Sequence, residues 1–475
     1  MATNRKSPLW LVIVAAAVPT FMATLDNLVV TNALPVIAQD LGASLEQLQW
    51  IVNAYSLAFA SLILMAVALG DRLGRRRVFV AGIAVFTAAS ALAAVAPDPG
   101  LLIAARALQG AGAAAVMPLS LALLAGAVPT AMRPLAIGVW GGVSGLGVAL
   151  GPVIGGAVVE GLTWHAIFWL NVPVGAVAIA LVYFSLAEAF GRKVRLDWTG
   201  LALAASAVFG LVFGIIRGND AGWDSPQVVT ALAGGTALLV AFLLWENRTA
   251  DPLLPLRLFR DRSFSAANAA GMLFSIGIFG AIFILIQFMQ VVQGRSPLEA
   301  GVMTMPWTMA PLIVAPIAGA IAPRVGTRTL IVAGTSLQAA GLAWIALTMT
   351  PDVAYATMVP AFILAGVGMG LVFAPSATAI LANVRDEDHA KASGTNSTLR
   401  EIGVALGIAI LTAVFTGAGG SLTPTGYTDA AIPAIWTGVA FLVAASLAGL
   451  ALPSGRSPRP DAVASGVREP ALASG

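Results

Sequence analysis

Fourteen stretches of about 20 apolar residues, parted by short loops that carry most of the basic residues, tie this chain to a lipid solvent. Inside a bilayer every backbone N–H and C=O must find a partner within the protein, so only helices or a closed barrel can cross. Runs of this length are those of helices. They start near Leu9, Trp50, Val78, Leu101, Leu135, Ile167 and Trp198, and again near Val228, Phe264, Ala300, Leu330, Met358, Ile402 and Ile432. With 59% hydrophobic and 10% charged residues in 475, the chain is too apolar to fold in water. An all-α integral membrane protein with 14 transmembrane helices is expected. Arg5 and Lys6 precede a first run too long for a signal peptide, which is read as a retained helix. Cytoplasmic loops collect Lys and Arg. With both termini cytoplasmic, all the basic residues except Arg106, Arg217 and Arg295 fall on that side. The tail 453–475, rich in Pro, Ser, Gly and Arg, is expected to be disordered and cytoplasmic.

The stretch 138–156 carries Gly138, Gly147, Gly151, Pro152, Gly155 and Gly156. Gly147, Gly151 and Gly155 stand four apart and form one bare stripe, along which a second helix backbone can approach. Pro152 has no N–H to give and kinks the helix. Part of the frame recurs: Gly394, Gly403 and Gly407 stand 256 positions after Gly138, Gly147 and Gly151, and Gly-Val-Ala-Leu-Gly returns unchanged at 403–407. Gly366 and Gly368 follow Gly110 and Gly112 by the same interval, and 321–328 echoes 69–76 at Arg72, Gly74 and Arg76. Three matches in one order imply a duplicated half. The expected organisation is a six-helix half over 9–187, two inserted linker helices over 198–246 and a second six-helix half over 264–452. Transporters with repeated halves bind their substrate between them near the midplane.

Several functions are excluded at once. There are no cysteines and only two histidines, His165 and His389, so no metal site is proposed. None of the lysines follows a phosphate-loop glycine pattern, which removes a built-in ATPase. The net charge of +3 is spread over short loops, so no nucleic acid is expected as a partner. No nucleophile-and-base set and no second buried acid is seen, which argues against an enzyme.

Of the acidic residues only Asp26 is placed deep in a span. An ionisable group there is costly and marks a functional site with a partner to be named. Counted from the outer ends of their helices, Asp26 and Arg106 reach similar depths. Burial disfavours a charged carboxylate and a nearby guanidinium favours it, so modest motion can make such a pair take up or release a proton. A static pair locking two helices is the alternative. The loop 70–77 holds Gly70, Asp71, Arg72, Gly74, Arg75 and Arg76. Its arginines suffice for a positive-inside anchor, but Asp71 has no use in that role. A conformational latch on a neighbouring helix N-terminus is therefore expected. Asn53, Gln109, Gln287 and Gln290 are the polar span residues expected to line a substrate pocket.

These motifs resemble the major facilitator superfamily, in particular its fourteen-helix branch of drug:proton antiporters. The stretch 138–156 matches that branch's antiporter motif at every fixed position. The loop 70–76 resembles the superfamily loop motif, with Val67 in place of its first glycine, and 106–112 resembles the helix motif whose arginine is linked to proton transfer. Residues 25–35 resemble the first-helix signature, with Leu28 for a threonine and Thr31-Asn32 for Asn-Val. The resemblance implies a proton-coupled exporter of small amphipathic drugs or antibiotics, working by alternating access in the cytoplasmic membrane as a monomer. The proton gradient is its energy source and no cofactor is needed. An importer or facilitator of a small metabolite is the alternative. Having no acid in its C-terminal spans, the chain is expected to prefer monovalent cations, zwitterions or neutral lipophiles over dications.

Overall fold

The computed structural model describes residues 8–129, 132–191, 196–385 and 388–453. The tail beyond Pro453 lies outside the described residues. All the regular structure described is helical. The N-terminal set is α1 (Leu9–Leu41), α2 (Leu45–Leu73), α3 (Arg75–Ala94), α4 (Pro99–Ala127), α5 (Arg133–Gly161) and α6 (Trp164–Ser185). Next come α7 (Trp198–Ala221) and α8 (Pro226–Glu246). The C-terminal set is α9 (Arg262–Gln287), α10 (Pro297–Met303), α11 (Met305–Val325), α12 (Thr327–Thr348), α13 (Tyr355–Leu381), α14 (His389–Gly417) and α15 (Pro424–Leu450). Among the described residues, thirteen helices are long and apolar enough to cross a membrane, and the bent α5 makes fourteen.

Local chemistry sets the helix ends. The Ser44 hydroxyl takes the Gln47 N–H while the Gln47 side chain takes the Ser44 N–H, which starts α2 three residues after α1 stops. Gly42, at φ 60°, makes that turn possible. Asp98 caps α4 with its carboxylate on the Gly100 and Leu101 N–H groups, and Asp261 caps α9 on that of Phe264. In α5 the axis turns by 40° between Val139–Gly147 and Ala149–Gly161. The bend falls four residues before Pro152, where the carbonyl of Val148 has lost its helical donor.

The two sets repeat one packing plan. Helix α1 lies on α5 and α6, α4 on α2 and α3, and α3 on α6; α9 lies on α14 and α15, α13 on α11 and α12, and α12 on α15. Glycines do equivalent work in each. Gly147, Gly151 and Gly155 face α1, where a Cβ at Gly151 would stand 2.8 Å from that of Leu28 and one at Gly155 2.9 Å from the Val29 Cα. Gly403 and Gly407 face α9 at Met272 and Ile276. Gly110 packs on the Tyr55 backbone of α2 and Gly366 on the Trp307 backbone of α11, while Gly112 and Gly368 meet α3 and α12. The sets touch through α1, α5, α10 and α11 at one end and along α2 and α14. The hairpin α7–α8 leans on α2 and α14.

Three helices extend beyond the apolar runs that announced them. Helix α1 continues to Leu41 past the run ending near Leu34, α15 starts at Pro424 and not near Ile432, and α14 starts at His389 and not near Ile402. The reason in α14 is its first three turns, rich in Thr, Ser and Asn, which hydropathy reads as loop. Such side chains are carried inside membrane helices when they face other helices.

Candidate functional site

The polar centre of the N-terminal set is built on four helices. Asp26 of α1 is 3% exposed and Arg106 of α4 is fully buried, and the Arg106 Nη1 donates to Asp26 Oδ2. The other carboxylate oxygen accepts from Asn171 Nδ2 of α6 at 2.7 Å and from Gln109 Nε2 at 3.3 Å. Gln109 returns its carbonyl to Arg106 Nη1 at 2.9 Å and donates to Ser90 Oγ of α3 at 2.7 Å. Arg106 also donates through Nε to the Ile51 carbonyl at 3.2 Å, and its guanidinium lies 4.5 Å from the centre of the Tyr55 ring. Its Nη2 has no partner. The structure thus brings Asp26, Arg106 and Gln109 into one network. Asp26 stands fifteen residues from the end of α1 and Arg106 seven from the start of α4, so these two helix ends are not level and equal depths counted from them are not what brings the pair together.

Sequence reasoning missed Ser90 and Asn171. A single Ser or Asn within an apolar run carries no signal of its own, and only the packing of α3 and α6 around α4 gives them a role.

The premise of a single buried acid is corrected. Because α14 starts at His389, Arg400 and Glu401 lie twelve residues inside a span and not at its entrance. Arg400 turns to the Phe373 ring, 5.1 Å from its centre, with Nε unpartnered. Glu401 lies beside Ser56 of α2. One Glu401 oxygen, the Ser56 hydroxyl and both amide atoms of the fully buried Asn53 have no hydrogen-bond partner. The expectation of a C-terminal set without span acids, and the bias against dications drawn from it, both fall with this placement. The repeat held the missing signal: 401 is 256 positions after Gly145, well inside α5.

The four pocket candidates do not meet in one place. Gln109 belongs to the Asp26 network, and Asn53 of α2 is fully buried with neither amide atom partnered. Gln287 donates to its own helix at Phe283, with its carbonyl unpartnered. Gln290 reaches across the sets to the Asn32 backbone carbonyl at 2.8 Å. Asn32 in turn donates to the carbonyls of Pro152 at 2.8 Å and Pro297 at 2.9 Å. Here the stretch 138–156 divides its labour. Gly147, Gly151 and Gly155 serve the contact with α1, whereas Gly156 lies on the Pro297 and Leu298 backbone of the other set, and Gly301 lies on Pro152. Thr308 Oγ1 adds a bond to the Ala149 carbonyl at 3.1 Å. Towards the N-terminus of α5 the glycines are less tightly packed: Gly145 meets Leu312 of α11 at 3.4 Å, and Gly141 and Gly142 have open space. Gly138 lies in this part of α5. The sets are held together at the C-terminal end of α5.

The loop 70–77 is tied to its own set. Asp71 accepts from Arg75 Nε at 2.7 Å, and its carboxyl packs on Gly191. Gly70 packs on Leu119, and Gly74, at φ 110°, on the Glu188 carboxyl. Glu188 accepts from the Arg76 backbone N–H at 2.9 Å, Arg76 Nη1 donates to the Leu186 carbonyl at 3.1 Å, and Arg72 is exposed.

Comparison with known proteins agrees with this architecture. The family profile described as Major Facilitator Superfamily matches residues 16–195, 198–408 and 267–469. The chain is 34% identical to the tetracenomycin C resistance and export protein of Streptomyces glaucescens, over 90% of this chain and 79% of that one. It is 38% identical to a cephamycin export protein of Amycolatopsis lactamdurans, over 89% and 88%. It is 33% identical to the methylenomycin A resistance protein of Bacillus subtilis, over 93% and 94%. In fold it is similar to a bacterial homologue of the human lysosomal transporter Spinster, with a TM-score of 0.67 at 15% identity, covering 94% of this chain and 97% of that one.

Proposed function

Since the chain belongs to the major facilitator superfamily, a family of transporters and not of enzymes, we propose that it exports amphipathic drugs or antibiotics from the cytoplasm in exchange for protons. It does so in the cell membrane with both termini inside, as a monomer and without a cofactor. Relatives named for the resistance or export of antibiotics support the direction and the substrate class. The observation that carries the coupling is the cage around Asp26. Its two oxygens accept from Arg106, Gln109 and Asn171. A proton added there removes the charge that holds the Arg106 guanidinium and weakens all three of these bonds, whose donors come from two other helices, α4 and α6. A buried arginine that loses its carboxylate costs about 3–5 kcal/mol, ample to bias two arrangements of a bundle.

Alternating access supplies the second arrangement. The join at the C-terminal end of α5 is held by hydrogen bonds from Asn32, Gln290 and Thr308 and by glycine contacts, all of which rocking of the sets can break. Loop 70–77, closed on its own set here, is free to take up a partner on the other set in the opposite state. Glu401 adds a carboxylate at the seam between the sets, so organic cations are the substrates that depend on it.

The test is transport in inverted membrane vesicles carrying the protein. Ethidium should accumulate when the vesicle lumen is made acid and stop accumulating when the gradient is collapsed. Accumulation indifferent to the gradient would contradict the coupling, and the absence of any movement would contradict export of cations.

A further inference from the structure

The inserted hairpin does not seal against the bundle along its whole length. Near one end Val212 and Ile216 of α7 pack on Leu57, Ala405 and Ala409, and the join is tight. Near the other end α7 and α8 stand off from α2 and α14, leaving a cavity of about 340 Å³. Leu64, Val208, Phe242 and Leu399 wall it, and Leu254 and Phe259, from the connection between α8 and α9, form its floor. The lining is almost wholly apolar. Dry apolar cavities of about 150 Å³ already hold benzene, so this one holds a run of acyl methylenes.

Its rim is basic. The floor segment carries Arg257 and Arg260, and Arg248 follows the end of α8. Arg257 is engaged by Asp388 at 2.7 Å, while Arg248 and Arg260 are exposed. We propose that this cavity is a binding site for one anionic phospholipid of the cytoplasmic leaflet, with an acyl chain between the hairpin and the α2–α14 seam and the phosphate between Arg248 and Arg260. The leaflet rests on the orientation proposed above; the site itself does not. Lipid tails are already in an apolar solvent, so the chain alone gives little preference for the cavity. Selectivity comes from the head group, since basic pockets on the cytoplasmic side of membrane helices favour anionic lipids. The bound lipid fills the space that the hairpin leaves and couples α7–α8 to the seam where the sets meet.

Native mass spectrometry of the full chain, purified in a mild detergent, stripped of lipid and then offered phosphatidylglycerol or phosphatidylcholine, tests this. The wild type should retain one phosphatidylglycerol per chain with about tenfold preference over phosphatidylcholine. The double variant Arg248→Gln, Arg260→Gln should lose the preference. Ala204→Phe, which fills the cavity from α7, should lose retention of both lipids, and Val208→Phe does the same from the neighbouring turn in case the first variant fails to fold. Equal retention of both lipids by the wild type, or unchanged retention in a folded cavity-filling variant, would overturn the proposal. So would displacement of the lipid by stoichiometric tetraphenylphosphonium, because the cavity would then lie on the substrate path. Lipid retention does not depend on the direction or coupling of transport, so it stands or falls separately from the vesicle assay.

Discussion

Helices α5 and α14 are both 29 residues long, begin and end 256 positions apart and carry the same Gly-Val-Ala-Leu-Gly segment. Each lays its glycines on the first helix of its own set, α5 on α1 and α14 on α9. They differ in what surrounds that shared clamp. Helix α5 adds Pro152 and Gly156, which bend it and let the other set's backbone come close at its C-terminal end. Helix α14 has isoleucine where α5 has Pro152, and it carries Arg400 and Glu401 in its middle. The glycine frame thus packs the two six-helix sets alike, and the positions between the glycines differ: a bend and a contact with the other set on α5, charged side chains on α14.

Substitutions that attack the shared frame should do the most damage. Gly407→Leu sets a side chain against the backbone carbonyl of Ile276, which cannot move aside, and should cost about 3 kcal/mol, the upper end for overpacking, with loss of folded protein in a thermal melt. Gly151→Leu meets one atom closer than 3 Å, the Leu28 Cβ, where Gly407 meets three backbone atoms, so about 2 kcal/mol is expected, with transport lost before folding. Equal tolerance of leucine at both sites would break the view that the glycines are clamps.

Substitutions in the parts that differ should be milder and should separate the helices. Glu401→Gln removes the seam carboxylate and should weaken ethidium binding by about tenfold, as expected for about 1.4 kcal/mol, while a neutral substrate such as chloramphenicol is affected much less. Asn32→Ala removes the amide that bridges Pro152 and Pro297. It should destabilise the join of the sets there by about 0.6–1.7 kcal/mol, seen as a raised reactivity of cysteines introduced near it.

The architecture was legible in the sequence because its causes are long and periodic. Apolar runs and basic loops mark the spans, and the glycine interval marks the copy. The Asp26–Arg106 contact was legible because an acid in an apolar run stands out and Arg106 lies in a span with few other charges. Ser90 and Asn171 were not, since polar residues of ordinary size acquire their role only when helices distant in sequence meet. Glu401 was hidden by a different cause: the polar first turns of α14 moved the apparent start of the span to Ile402. Laying the 256-residue interval over α5 would have put it back at mid-helix.

The claim on which the rest depends is that protons enter transport through Asp26. Asp26→Asn, reconstituted in liposomes, tests it when exchange of labelled ethidium at equal pH and accumulation against an imposed pH gradient are measured on the same preparation. Exchange should persist while accumulation disappears. Gradient-driven accumulation at the wild-type level in that variant would contradict the account.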